Sequence, residues 1–135
     1  MPGIIELMEQ IQQAGISIGI VTGSGQRPLI ARILKDFGKY VTPDHITTAY
    51  DVKRGKPNPD PYLTGLKKAG NLLPSEAIVI ENAPLGVKAG VAAGIYTIAV
   101  NTGPLPDQVL LDAGASILFP SVKELGNNFK KIILR

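Results

Sequence analysis

The chain has no cysteine and no tryptophan among its 135 residues. Without cysteine there are no disulfides and no thiolate metal sites, which fits a reducing compartment, the cytoplasm. Aromatic residues are few, four Tyr and three Phe, and they are not interleaved with the basic groups at Lys53, Arg54, Lys56, Lys67, Lys68, Lys130, Lys131 and Arg135. A nucleic-acid groove pairs a cationic track with stacking aromatics, so with a net charge of only +3 nucleic acid is not an expected partner. No apolar run approaches the roughly 20 residues that cross a bilayer, so no membrane partner is expected either. Met1-Pro2-Gly3, followed by Glu6 and Glu9, lacks the basic start of a secretory leader. The lone histidine, His45, has no Cys, His or carboxylate at metal-ligand spacing and reads as a surface or strand-edge residue.

What is present is ordinary for a globular protein, 44% hydrophobic and 19% charged residues, in a length suited to one domain over residues 1–135. The organising stretch is Ala77-Ile78-Val79-Ile80-Glu81-Asn82, followed by Pro84-Leu85-Gly86 and a helix rich in Ala and Gly. A continuous apolar run of this kind suits a strand buried on both faces of a parallel sheet. Ligand crevices in such sheets lie beyond the strands' carboxyl ends, where Glu81 and Asn82 fall. Oxygen donors there suit a hard cation such as Mg²⁺; they equally suit the cap of the next helix.

Helical spacing marks Ile4, Leu7, Met8 and Ile11, then Ile30, Ile33, Leu34 and Phe37. Between them Ile16–Val21 reads as a strand ending in Thr22-Gly23-Ser24-Gly25, a junction whose hydroxyls and N–H groups can close around phosphate; the same residues are also an ordinary turn and N-cap sequence. Ile46–Ala49 reads as a short strand, and a helix from about Asp60 turns Tyr62, Leu63 and Leu66 inward. Tyr96–Val100 and Ser116–Phe119 read as strands, Asp107–Ala113 as a short helix, and Ser121-Val122-Lys123-Glu124 as a capping box opening a last helix. Pro57, Pro59 and Pro61 stiffen the stretch that leads into the Asp60 helix, which can hold the Lys56 ammonium at a fixed point; taken alone, the loop reads equally as a turn with a solvated lysine. Strand–helix alternation implies an α/β fold with a parallel sheet covered on both faces. Its strand ends gather Thr22 to Ser24, Lys56 and Glu81-Asn82 at one edge.

These residues resemble the haloacid dehalogenase superfamily of phosphohydrolases, in the branch that holds β-phosphoglucomutase-like proteins. Ile18-Gly19-Ile20-Val21-Thr22 with Ser24 matches its second motif, Gly55-Lys56-Pro57 its third and Glu81-Asn82-Ala83-Pro84-Leu85-Gly86 its fourth. The resemblance covers essentially the whole chain. It implies a three-layer Rossmann-like core and a Mg²⁺-dependent phosphohydrolase acting on a small phosphorylated metabolite or inorganic pyrophosphate. A hexose-phosphate mutase using the same site, or a non-catalytic interaction module, are the alternatives. Thr22, Gly23, Ser24 and Lys56 would bind the phosphoryl group, with Thr22 and Lys56 the catalytic pair. Asn82 would ligate Mg²⁺, and Glu81 would ligate it or orient a metal-bound water.

Two departures stand out. The superfamily's first motif, Asp-x-Asp-Gly on the central strand, occurs nowhere in the sequence, so the chain resembles the second part of a longer architecture and is expected to be inactive by itself. The absent strand belongs between the strands ending at Thr22 and Glu81; that gap is expected to be closed by direct pairing, by another chain or by a separately supplied segment. Asn82 stands where most of the superfamily has Asp, which removes one charge from the metal site and favours a highly anionic substrate such as pyrophosphate or a diphosphorylated sugar.

Overall fold

Small residues decide how closely the helices can lie on the strands. In the helix after the Ile78–Glu81 strand, a methyl at Gly90 would come within 2.5 Å of the Thr97 hydroxyl and 3.2 Å of a Val79 methyl, so only glycine permits that approach. The computed structural model describes residues 2–133. In order the elements are α1 (Ile4–Gln13), β1 (Ile20–Val21), α2 (Arg27–Phe37), β2 (Ile46–Thr47), α3 (Asp60–Lys68), β3 (Ile78–Glu81), α4 (Pro84–Ala92), β4 (Tyr96–Val100), α5 (Asp107–Asp112), β5 (Ile117–Phe119) and α6 (Val122–Ile133). Single 3₁₀ turns flank β2, one ending at the half-buried His45 and one spanning Ala49–Asp51.

All strand pairs are parallel, and helices pack on both faces of the sheet that contains β4. Along β4, Ile98 and Val100 face Leu7 of α1 and Val122, Leu125, Phe129 and Ile132 of α6. Ala99 points the other way, to Val87, Leu110 and Ala113. Val79 of β3 packs with Tyr62 and Leu66 of α3 and with Ala89 of α4. The α/β layering expected from the sequence is present. The Ser121 hydroxyl accepts the Glu124 N–H at 3.1 Å, the cap expected for α6.

Four features differ from expectation. The strands form two sheets, β1-β2 and β3-β4-β5, with β1 and β3 not hydrogen-bonded to each other. Direct pairing therefore does not close the gap. The run Ile16–Val21 narrows to a two-residue strand, because its partner β2 is itself two residues long, and it buries none of its side chains. Ile78, read as part of a strand buried on both faces, is 42% exposed, since it opens β3 at the edge of its sheet. Leu63, expected inward, is 45% exposed, since α3 turns Pro61, Tyr62 and Leu66 to the core instead.

Among the described residues one buried polar side-chain atom is left over. Thr47 is 1% exposed, and its hydroxyl has no hydrogen-bond partner. Desolvating a hydroxyl without compensation costs free energy. Thr47→Val should therefore raise the stability of the chain to urea, by about 1 kcal/mol; a loss of stability would show that the hydroxyl has a partner after all.

Candidate functional site

Glu81 ends β3 with its side chain turned under the first turn of α4, at 8% exposure. Gly86 makes this possible: a methyl there would overlap the Glu81 carboxyl carbon and both its oxygens. Four protein donors take up the carboxylate. Oε2 accepts the N–H groups of Asn82 (3.0 Å) and Ala83 (3.2 Å), while Oε1 accepts the Tyr62 hydroxyl (2.8 Å) and the Lys56 ammonium (2.5 Å).

Lys56 reaches this position from a tightly tied loop. The Gly55 carbonyl accepts both the backbone N–H (3.1 Å) and the side-chain amide (3.0 Å) of Asn58, and Arg54 closes the loop on Asp60 with two contacts of 2.9 and 3.3 Å. The Lys56–Pro57 peptide is cis. The prolines indicated stiffness in the sequence, whereas the Asn58 and Arg54–Asp60 clamps carried no such signal. From this loop Nζ also donates to the Val21 carbonyl at 3.3 Å and lies 5.1 Å from the centre of the Tyr62 ring. One ammonium thus spans the gap between the two sheets, from the end of β1 to the end of β3. Tyr62 read in the sequence as a core residue only. A buried tyrosine hydroxyl usually needs a partner, and here that partner is the site carboxylate.

The Thr22–Gly25 loop is laced to the end of β2. Thr22 N–H donates to the Thr47 carbonyl (2.9 Å) and Ala49 N–H to the Ser24 carbonyl (3.4 Å). The Thr22 hydroxyl oxygen accepts Ser24 N–H and the Ser24 hydroxyl oxygen accepts Gln26 N–H, each at 3.2 Å. Both hydroxyls act as acceptors inside the loop, so each keeps its own proton for an outside acceptor. Asn82, exposed beyond β3, donates its amide N–H to the Thr102 hydroxyl at 3.1 Å, and among the described residues its amide oxygen has no hydrogen-bond donor. The structure therefore brings Lys56 between the residues next to Thr22 and to Asn82.

The charges respond to these contacts. Burial pushes the Glu81 carboxyl up, but the Lys56 hydrogen bond and charge, the Tyr62 hydroxyl and the Ala83 N–H together outweigh it and hold the carboxyl below its ordinary range. Burial first, and then the Glu81 charge and hydrogen bond, raise the Tyr62 hydroxyl, so it stays a donor. A group depressed in the folded state binds fewer protons there than in the unfolded chain, so it contributes stability above its unfolded value and loses it as pH falls through the folded one. Stability to urea should accordingly drop as pH is lowered from about 4.3, the ordinary glutamate value, with Asp51, held low by Thr48 N–H and Lys68, adding to the same trend. A curve flat between pH 5 and 3 would contradict these contacts.

A metal finds few donors here. Among the described residues no group of three His, Asp or Glu side chains comes together, and Glu81 is committed to protein donors. The Asn82 amide oxygen is the free one. Mg²⁺ commonly keeps several waters and shares substrate phosphate oxygens, so the residues fit a site that depends on phosphate for most of its ligands.

A family model described as haloacid dehalogenase-like hydrolase matches residues 1–100. Hexitol phosphatase A of Escherichia coli K12 is 46% identical over 101 residues, 75% of this chain and 45% of the relative. Phosphorylated carbohydrates phosphatase of Thermotoga maritima is 33% identical over 134 residues, 98% of this chain and 60% of the relative. A solved structure of a candidate β-phosphoglucomutase from Bacteroides vulgatus superposes with a TM-score of 0.92 at 51% identity, covering 99% of this chain and 54% of that one. The chain spans about half the length of these relatives.

Proposed function

From the premise that the chain belongs to the haloacid dehalogenase-like hydrolases, we propose that its rim binds the phosphoryl group in a Mg²⁺-dependent phosphohydrolase site for a small phosphorylated carbohydrate. The observation that carries this is the Lys56 ammonium bridging the Val21 carbonyl and Glu81. It puts a fixed positive charge between the strand ends that lead into Thr22 and Asn82, an arrangement that suits a phosphoryl oxygen on one side and a hard cation on the other. Thr22 and Ser24 donate O–H bonds, and the exposed Gly23 offers its backbone N–H. Lys56 neutralises phosphoryl charge, and Glu81 acts through Lys56, as a positioning residue. Asn82 offers its oxygen to Mg²⁺, which when bound would offset the charge of the phosphate. Pyrophosphate fits the same donors, but the named relatives favour carbohydrate phosphates. The 51% identity to a candidate β-phosphoglucomutase supports a mutase as the second reading. The absence of cysteine supports placing the protein in the cytoplasm.

Phosphoryl transfer through a covalent intermediate needs a nucleophile, usually a carboxylate when Mg²⁺ and Lys flank it, and among the described residues the one carboxylate at this rim, Glu81, is taken up by protein donors. The proposal therefore includes an extended apolar segment ending in Asp-x-Asp, lying between β1 and β3 as a parallel strand. The half-exposed Ile18, Ile20 and Ile80 beside the gap support this. The test is to measure Mg²⁺-dependent binding and hydrolysis of sorbitol 6-phosphate by the chain, alone and with a synthetic apolar peptide ending in Asp-x-Asp-Gly. Saturable binding without turnover by the chain alone, and saturable uptake of the peptide, are expected. No binding of the phosphate ester would overturn the proposed site, and turnover by the chain alone would overturn the need for the strand. Isomerised sugar phosphate in place of free phosphate, with glucose 1-phosphate as substrate, would favour the mutase.

A further inference from the structure

Tyr50 is the outlier among the four tyrosines. Tyr40 bonds Glu9, Tyr62 is buried on Glu81 and Tyr96 is half-buried, but the Tyr50 side chain is 83% exposed. Yet its backbone is firmly held. The Ala49–Asp51 turn is capped reciprocally, with Tyr50 N–H donating to the Thr48 hydroxyl at 3.3 Å and Thr48 N–H to Asp51 at 2.7 Å. Asp51 is gripped in turn by Lys68 at 3.0 Å, whose ammonium also bonds the Ile46 carbonyl at 2.7 Å. The ring itself lies on Gly25. A methyl there would fall 2.5 to 3.0 Å from Tyr50 Cε2, Cδ2 and Cζ, so the ring sits flush with the backbone of the Thr22–Gly25 loop.

A rigid turn therefore presents an exposed aromatic at the edge of the hydroxyl loop, where glycine clears room for it. An aromatic face ordered in this way suits the C–H groups of a carbon chain, because it offers a large apolar surface with little side-chain freedom to lose. We infer that Tyr50 is a specificity-determining residue, a platform for the carbon skeleton of a sugar or polyol phosphate whose phosphate lies in the Thr22–Ser24 loop. This rests on the phosphate-binding reading of that loop. It adds what the phosphate contacts do not supply, a preference for esters with an extended C–H surface over inorganic phosphate.

The test is calorimetric titration of the chain in Mg²⁺ with inorganic phosphate and with sorbitol 6-phosphate, for the native protein, Tyr50→Ala and Tyr50→Phe. The native chain should bind the ester about five- to tenfold more tightly than phosphate, the range expected of one aromatic contact. Tyr50→Ala should lose most of that margin with phosphate affinity unchanged within twofold, and Tyr50→Phe should retain it. Failure of the native chain to bind phosphate would remove the underlying site. Phosphate binding with no margin for the ester, or a margin that survives Tyr50→Ala, would overturn the platform and leave the site standing. Equal weakening of both ligands by Tyr50→Ala would show a role in holding the turn and would likewise overturn it.

Discussion

Lys56→Met should destabilise the chain by about 3–5 kcal/mol and remove its phosphate binding. Methionine keeps most of the stem's volume, so the loss falls on the charge. Glu81 is buried, and its first influence, burial, already favours the neutral acid. Lys56 is the chief opposing influence, and without it the carboxylate is left with neutral donors only. Removing one partner of a buried pair is costly because the other charge stays behind, whereas removing both can be nearly neutral. The double variant Lys56→Met, Glu81→Gln should therefore recover a large part of the stability in urea melts, yet still fail to bind phosphate. Recovery of phosphate binding in the double variant would show that the ammonium has no direct part in holding the anion.

Gly86→Ala should also act strongly, and against the usual sign. Gly to Ala inside a helix ordinarily stabilises by about 1 kcal/mol. At Gly86 the new methyl would occupy the volume of the Glu81 carboxylate, and crowding of this kind costs about 1–3 kcal/mol. The carboxylate must leave its bonds to Asn82 and Ala83 N–H, and the Lys56 ammonium must follow it away from the Val21 carbonyl. Stability should fall and phosphate affinity should drop about tenfold, a loss of roughly 1.4 kcal/mol. Gly90→Ala serves as the comparison: it crowds Thr97 and Val79, away from the carboxylate, and should reduce stability with little effect on phosphate. Equal affinity in the two variants would mean that Glu81 does not position Lys56.

The element order was legible because each element follows a local rule. The β-branched runs at Ile78–Ile80 and Tyr96–Val100 became β3 and β4, and the Ala and Gly of residues 84–92 became a helix pressed onto them. Periodicity failed where burial depends on a neighbour rather than on the segment itself. Ile16–Val21 has the composition of an inner strand, but its one partner, β2, is two residues long, so most of the run carries no ladder. The motif residues marked which loops matter but not how they connect. Nothing in Gly55-Lys56-Pro57 indicates that the ammonium reaches a carbonyl 35 residues upstream. Nor does Glu81 in sequence show that four protein donors take up its oxygens, which shifts the offer to a cation onto the neighbouring Asn82 amide oxygen. Tyr50 gave no signal, because an aromatic in a turn is informative only once its exposure and its glycine neighbour are known.

The most direct measurement is a titration of inorganic phosphate, in Mg²⁺, into the ¹⁵N-labelled chain with every amide followed. The account predicts saturable shifts that are largest at Thr22 to Ser24, Lys56 and Asn82-Ala83, and that vanish in Lys56→Met. Shifts centred on the roughly 600 Å³ cleft lined by Pro2, Asn101, Pro120 and Lys123, or no saturable shift at all, would contradict it.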